Sequence, residues 1–516
     1  MPGRLVATLL VLIASLRIVS TNKILSHTID EPAHLAAGME WLEAGTYTYE
    51  DQHPPLARVM GAVGLYLAGA RMKEPRDPDK YREGYRLLGY TRHYTRSLYY
   101  SRLAMLPLFW VGAATVFIWC RRIAGAGAAV AATLVFTTTP PILAHAGLVT
   151  TDMAVTAFTG AAVLCALCWT ERPDWRRSIL LGVMTGLAML SKLSALVFLP
   201  AGLVAMFAWH LARDRPGFES TCRRALHLAP FGILALGTAA LIIWSGYRFS
   251  WGWVQFLGRP VPAPAFFNGM QSVWEHQSEG HPAYLLGRRS QTGFFYYYPL
   301  VFAVKTPLAM LVLFLISLVL AARRRPAMNI GMPLAFASGV FAVALFSHIN
   351  IGVRHILPVY IGMAVCCGVA VSRLLRQWRV PSTLTVCALL AWQVASGALQ
   401  HPDYIAYTNE LTGNRPERIL ADSDLDWDQS MKRLALRLGQ LGVHEFTFKI
   451  FSAGYMAAGN DFPFFIHDMP DGDRPTPGWN AISITPWKLS GQPRWAEQAV
   501  PRERIGRSIL LYYFPP

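Results

Sequence analysis

The sequence predicts an all-α polytopic membrane protein of about eleven transmembrane helices, followed by a small C-terminal extracytoplasmic α/β domain. Three observations predict it. Of 516 residues, 53% are hydrophobic and 15% charged, where soluble domains carry about 25% charged residues. The apolar residues fall in long blocks, which together with 12% aromatics excludes a disordered or fibrous chain. Basic residues crowd the ends of those blocks on one side, so the net charge of +16 reads as a set of topology anchors, and no nucleic-acid partner is expected.

Crossing about 30 Å of hydrocarbon takes roughly 20 mostly apolar residues in a helix. Runs of that order lie near residues 5–21, 99–119, 123–139, 153–170, 178–191, 193–211, 226–244, 298–321, 331–348, 355–372 and 381–399. With a cytoplasmic N-terminus, the inside turns hold basic groups such as Arg121 with Arg122, Arg176 with Arg177, Arg223 with Arg224, and Arg323 to Arg325. The short outside turns hold only Lys192 and Arg354, so the positive-inside rule orients the bundle and puts residues 400–516 outside. The 22–98 loop is basic too, but it is long enough to cross regardless of charge. No A-x-A-like cleavage site follows the first run in Arg17-Ile18-Val19-Ser20-Thr21, so an uncleaved first helix is expected. The seven cysteines fall in spans or inside turns and imply no disulfide framework, and the Cys165, Cys168 pair is read as packing. The absence of an N-x-S/T sequon leans towards a bacterial inner membrane.

Three substantial pieces lie outside: loop 22–98, loop 245–297 and the tail 400–516, so a 1–399 transmembrane domain precedes the tail domain. Leu56 to Ala70 is apolar but too short to span, and is expected to lie in the interface or re-enter. Tyr81, Tyr85, Tyr90, Tyr94, Tyr99 and Tyr100 suit an aromatic belt. The tail should hold a helix near Gln429 to Leu441 and strands at Glu445 to Phe451 and Ser508 to Phe514.

Polar residues near the outer interface carry the chemistry. Asp30 and Glu31 follow the first span closely and Pro32 restrains the backbone after them. Asp152 opens the fourth span. The plain alternative for these carboxylates is helix N-capping. Residues 178–191 make a helix of only about 21 Å, so the turn at Lys192 should sink below the outer surface. Lys305 lies inside the eighth span, where an ionisable group should face a cavity and a partner unless it snorkels. Arg354 and His355 open the tenth span, and His53 and Arg58 lie in the first loop. Carboxylates opposed by cations on one outer face fit an acid–base group meeting a phosphate.

These residues also carry a family resemblance. Asp30-Glu31 after a first span, His53-Pro54-Pro55-Leu56, and Thr151-Asp152 before the fourth span resemble the protein O-mannosyltransferase and aminoarabinose-transferase group of GT-C glycosyltransferases, family 39 and its relatives. His281-Pro-Ala-Tyr-Leu-Leu-Gly287, Tyr296-Tyr-Tyr-Pro299, Lys305-Thr-Pro307, Gly352-Val-Arg-His-Ile-Leu-Pro358 and Ser423-Asp-Leu-Asp-Trp427 look like its bacterial, phospholipid-carrier-dependent branch. One departure is Asp428-Gln429, where that branch is expected to have Gly-Gln.

The resemblance implies transfer of a sugar from a polyprenyl-phosphate donor to an acceptor hydroxyl of a protein, glycolipid or glycan at the outer face. It implies Asp30 as general base, Glu31 orienting the acceptor or Asp30, and Asp152 as a supporting or acceptor-side carboxylate. The donor phosphate would meet Lys192, Lys305 and Arg354, then His53, Arg58 and His355. A single displacement inverts the anomeric centre, and a phosphate leaves without a strong general acid. No cofactor is expected. Glu275, His276 and His281 are the residues a divalent metal would use, but they lack a close-spaced ligand pair. Two alternatives stay open: a metal-using oligosaccharyltransferase of the same broad architecture, and a polytopic secondary transporter of a small anionic or sugar-like solute.

Overall fold

The computed structural model describes residues 2–89, 93–215, 217–323, 330–377, 380–450, 462, 465–472 and 474–516. Tyr90, Arg324, Arg325 and Phe451 lie outside the described residues. Each of the eleven apolar runs contains an α-helix, though not over its whole length. Among the described residues, six helices are long and apolar enough to cross a membrane: Pro2–Thr21, Tyr94–Ala124, Asp152–Glu171, Ala195–Asp214, Glu219–Gly246 and Val380–Leu399. Two helix pairs are long and apolar enough only when taken together, and both are bent: Ala126–Thr138 with Pro140–Ala146 at 67° and Tyr297–Lys305 with Leu308–Ala322 at 110°. Trp175–Ser191, Gly331–Ala344 and Val359–Leu375 are shorter apolar helices of the same bundle.

Burial sorts the helices. Val359–Leu375 is apolar on every side and is buried from Val359 to Val371, the pattern of a helix surrounded by others. The helix ending at Gly246 instead turns Leu226, Ile233, Leu236 and Leu241 outward, an apolar face that only lipid would solvate.

The eighth run is where structure departs from the expected continuous span. Pro307 lacks an N–H, and Thr306 before it takes an extended conformation (φ −92°, ψ 132°), so the helix stops at Lys305 and restarts at Leu308. The carbonyls freed by the break find partners in the tail. Asn409 donates from Nδ2 to Ala303 O (2.6 Å) and Thr306 O (2.8 Å), and its N–H reaches Val304 O (2.8 Å).

In the long segment after the first helix, helices Glu31–Glu43, Pro55–Leu67 and Lys80–Leu88 stack tightly. Glycines set the crossings: a Cβ on Gly38 would lie 2.2 Å from the carbonyl oxygen of Arg58, and one on Gly84 2.0 Å from that of Pro32. The Leu56 to Ala70 stretch forms the Pro55–Leu67 helix, with Ala57, Arg58 and Leu65 buried and Leu67 outward. The tyrosine belt holds only in part. Tyr100 is exposed, but Tyr85 and Tyr94 are buried, their rings packed on His27, whose Nδ1 lies 2.7 Å from the Tyr94 hydroxyl. Their helices turn inward to cover the loop that precedes Asp30.

The tail contains a five-stranded sheet. Its strands β1 (Glu445–Lys449), β2 (Phe465–Asp468), β3 (Gly478–Ser483), β4 (Glu503–Ile505) and β5 (Ile509–Phe514) lie in the order β2-β1-β3-β5-β4. β1 pairs in parallel with β2 and β3, and β5 pairs antiparallel with β3 and β4. Helix Met431–Gln440 packs on it through Met431, Leu434 and Leu438, against Phe446, Phe448 and Leu511. Two strands and the helix match the predicted elements; β2 and β4 are only four and three residues long, and the six-residue β3 was not predicted. The main core is continuous from Trp119, Phe136 and Tyr360 in the bundle to Trp427, Ile482 and Tyr512 in the tail.

Candidate active site

Asp30 stands immediately before helix Glu31–Glu43, and its side chain makes no capping hydrogen bond, so the capping explanation fails on geometry. Its Oδ2 accepts from Arg354 Nη1 at 3.1 Å, and the carboxylate remains partly open at 30% side-chain exposure. Asp152 likewise opens a helix, whose N-cap residue Thr151 makes no side-chain cap bond. Its Oδ1 accepts from Lys192 Nζ at 2.7 Å, and its Oδ2 lies 3.9 Å from both Arg354 Nη1 and His145 Nδ1. Arg354 thus sits between two carboxylates, with its guanidinium carbon 4.0 Å from the centre of the Trp427 ring. Lys192 follows the short helix Trp175–Ser191 in an extended conformation, and its side chain is 14% exposed, in keeping with a sunken turn. His355 follows Arg354 in the same short 3-10 turn, Val353–Ile356.

Other predicted site residues are saturated by structural partners. Glu31 accepts from Arg102 Nε (2.9 Å) and Nη2 (2.7 Å), from the N–H of Thr28 (2.7 Å) and from the N–H of Val149 (3.0 Å). Burial alone would raise its pKa, but the Arg102 charge and these donors outweigh that and hold it below the ordinary value. No lone pair is left for an acceptor, so Glu31 ties the first loop to the bundle. Arg58 is fully buried and pairs with Glu50 (2.7 Å), while its Nε and Nη1 donate to His34 Nδ1 (2.9 Å) and the Tyr47 hydroxyl (3.1 Å). His53 Nδ1 meets the same Glu50 at 2.5 Å, and Lys80 Nζ meets it at 2.7 Å. Lys305 also leaves the group. At the 110° bend its Nζ turns to the tail and donates to the carbonyls of Ile405 (2.7 Å) and Asp424 (2.5 Å), so it does not line the cavity expected for it.

Sequence reasoning missed Glu50, Arg102 and Trp427, and also Asp422, a buried carboxyl that interacts electrostatically with Arg354. Arg102 carried a signal, being a lone charge inside an apolar run, and Trp427 lay in a quoted motif without a role. The departure at Asp428 has a backbone cause. Its φ is +67°, a conformation natural to glycine and accessible to aspartate. Beside Glu50 opens a cavity of about 480 Å³ lined by Tyr49, Asp51, Gln52, Lys80 and Asn268. Among the described residues, no group of three or more His, Cys, Asp or Glu side chains is placed to hold a metal ion.

Residues 99–244 match the family described as dolichyl-phosphate-mannose-protein mannosyltransferase. No curated protein sequence matches the chain. The crystal structure of ArnT from Cupriavidus metallidurans bound to undecaprenyl phosphate is similar at a TM-score of 0.54, with 14% identity over 98% of this chain and 97% of that one. The apo state of the same protein is similar at 0.53, with the same identity and coverage. The family match over the central helices and the fold match from end to end together give this chain the fold of the GT-C glycosyltransferases.

Proposed function

We propose that the chain is an inverting glycosyltransferase that moves a sugar from a polyprenyl-phosphate donor to an acceptor hydroxyl at the outer face of a bacterial inner membrane. One observation carries the reading: a partly open carboxylate, Asp30, lies 3.1 Å from a guanidinium that also faces the Asp152–Lys192 pair. Asp30 takes the proton of the acceptor hydroxyl as its oxygen attacks the anomeric carbon and the bond from that carbon to the phosphate oxygen breaks. Arg354 and Lys192, both cationic and both largely withdrawn from water, receive the charge that develops on the leaving polyprenyl phosphate. Asp152 holds Lys192 in place, and His355, next to Arg354 in the chain, is a hydrogen-bonding neighbour for the phosphate. Lys305 and Arg58 act on structure instead, and His53 orients through Glu50. The polar cavity beside Glu50 is the space we assign to the acceptor, be it protein, glycolipid or glycan. No metal or other cofactor enters this reading.

The test incubates the purified protein with a panel of radiolabelled polyprenyl-phosphate sugars and membrane extract as acceptor source, with and without EDTA. Release of polyprenyl phosphate with label in an inverted product, at an EDTA-independent rate, is expected. Proton-coupled uptake into vesicles without turnover of any donor would replace the reading with a transporter.

A further inference from the structure

The tail segment from Asp422 to Lys432 has no part in the chemistry above, yet it touches both loops that carry the reacting groups. Asp424 faces the bundle. Its Oδ1 accepts from the Val353 N–H at 2.9 Å, its Oδ2 from the Tyr297 hydroxyl at 3.2 Å, and its carbonyl from Lys305 Nζ at 2.5 Å. Ser423 Oγ donates to the Ile351 carbonyl. Gly352 completes the fit: its φ is +114°, and a Cβ there would come within 2.8 Å of Ser423 Oγ. Asp426 faces the other way, accepting from Ser483 Oγ and the Thr485 N–H, which fastens the segment to the end of strand β3.

Three residues further on, the same segment reaches the first loop. The Gln429 carbonyl accepts from the Ser26 N–H at 2.9 Å, and the Lys432 N–H donates to Ser26 Oγ at 2.7 Å. The Ser26 carbonyl in turn accepts from Arg102 Nη2, at 2.6 Å, the guanidinium that grips Glu31 beside Asp30. Between these two anchorages lies Trp427, buried, with Arg354 across its ring.

Such an arrangement has an energetic purpose. A free arginine side chain loses rotamer entropy when it is held in one geometry. A ring beneath the guanidinium and a fixed backbone on its N-terminal side meet that cost during folding, before substrate arrives. A fully buried Asp424 carboxylate is tolerable because Val353, Tyr297 and Lys305 all face it.

We propose that Asp424 and Trp427 are positioning residues for the transfer reaction, and that through them the C-terminal domain sets the placement of Arg354 relative to Asp30. The kinetic part of this proposal rests on the transferase reading; the structural part does not. The domain is then a working part of the active site, and loss of the segment's grip disarms the bundle without touching any residue that meets substrate.

The experiment uses the full-length protein in lipid nanodiscs, as wild type and as Asp424→Ala, Asp424→Asn, Trp427→Ala and Trp427→Phe. It reads polyprenyl phosphate release, thermal melting, and hydrogen exchange of peptides covering residues 24–31 and 349–358. Both alanine variants should exchange at least tenfold faster in the 349–358 peptide, and Asp424→Ala also in 24–31, with kcat at least tenfold lower and donor KM raised. Asp424→Asn keeps an acceptor for the Val353 N–H and Trp427→Phe keeps a ring, so each should recover most of the loss. Alanine variants that melt near wild type, with exchange unchanged in both loops and kinetics within twofold, would overturn the proposal. So would faster exchange confined to the tail. If Asp424→Ala does not fold, Trp427→Ala decides by the same readouts. Wild-type protein that releases no polyprenyl phosphate sinks the transferase reading, and the exchange data alone then decide whether the segment holds the two loops.

Discussion

Arg354 and Asp30 are 324 residues apart in the chain and 3.1 Å apart in the fold. One enters from the loop before the tenth apolar run and the other from the loop after the first. Their meeting, with Asp152 and Lys192 beside them, is the contact on which the proposed acid–base and phosphate-binding roles rest.

Asp30→Asn preserves shape but cannot take a proton, so transfer should fall roughly 10²- to 10⁴-fold while donor affinity changes far less. Asp30 makes no capping bond, and Arg354 keeps Asp152 at 3.9 Å when it loses Asp30, so melting should fall far less than in Glu31→Gln. Kinetics and a thermal scan of the same preparation check both. A folded variant that keeps transfer within a few-fold, with Asp152→Asn inactive, would move the base to Asp152.

Lys192→Ala and Lys305→Ala should fail in different ways. The first removes the 2.7 Å partner of Asp152 and one phosphate-facing charge, and should lower turnover and donor binding in a protein that still folds. The second removes a buried tie between bundle and tail, and should appear mainly as lost stability and greater protease sensitivity of the tail. Equal stability with equal kinetic defects would return Lys305 to the donor site.

Glu31→Gln should destabilise the protein by roughly 3–5 kcal/mol, since it leaves the buried Arg102 without its counter-charge. The folded pKa of Glu31 lies below the ordinary 4.5. Its stabilising contribution is therefore fully present above that value and is lost as pH falls towards the folded pKa. The melting difference between wild type and variant should narrow at the acid end, and a constant gap down to the acid limit would refute the pairing as its cause.

Burial pushes the Asp422 carboxyl up to about 6, against the pull of Arg354. Folding stability owed to this proton is full below the ordinary 3.8 and is lost as pH rises to about 6. Above about 6 the new carboxylate faces Arg354 and competes with the donor phosphate, so donor KM should rise through that range. Asp422→Asn should flatten the profile; a profile unchanged by the substitution would exclude Asp422 as its source.

A cysteine placed at Ser490 should label from outside intact spheroplasts, and one at Ser220 should not. The opposite pattern would invert the membrane orientation and remove the site from the outer face.

The membrane architecture was legible in the sequence because apolar blocks and their basic flanks act locally: twenty residues decide whether they suit lipid, with no help from the rest of the chain. The carboxylates Asp30 and Asp152 and the sunken Lys192 were legible for the same reason, from their distance to an apolar run. The motif at residues 423–427 was visible, but its work was not. Asp424, Trp427 and Gln429 act on groups more than seventy residues away in the chain, at Val353, Arg354 and Ser26. Only the tertiary structure decided which charges stay available, since that depends on partners brought from elsewhere. Glu31, Arg58 and Lys305 looked as suitable as their neighbours, and each is saturated by a residue that no spacing rule links to it: Arg102, Glu50, and the tail carbonyls of Ile405 and Asp424.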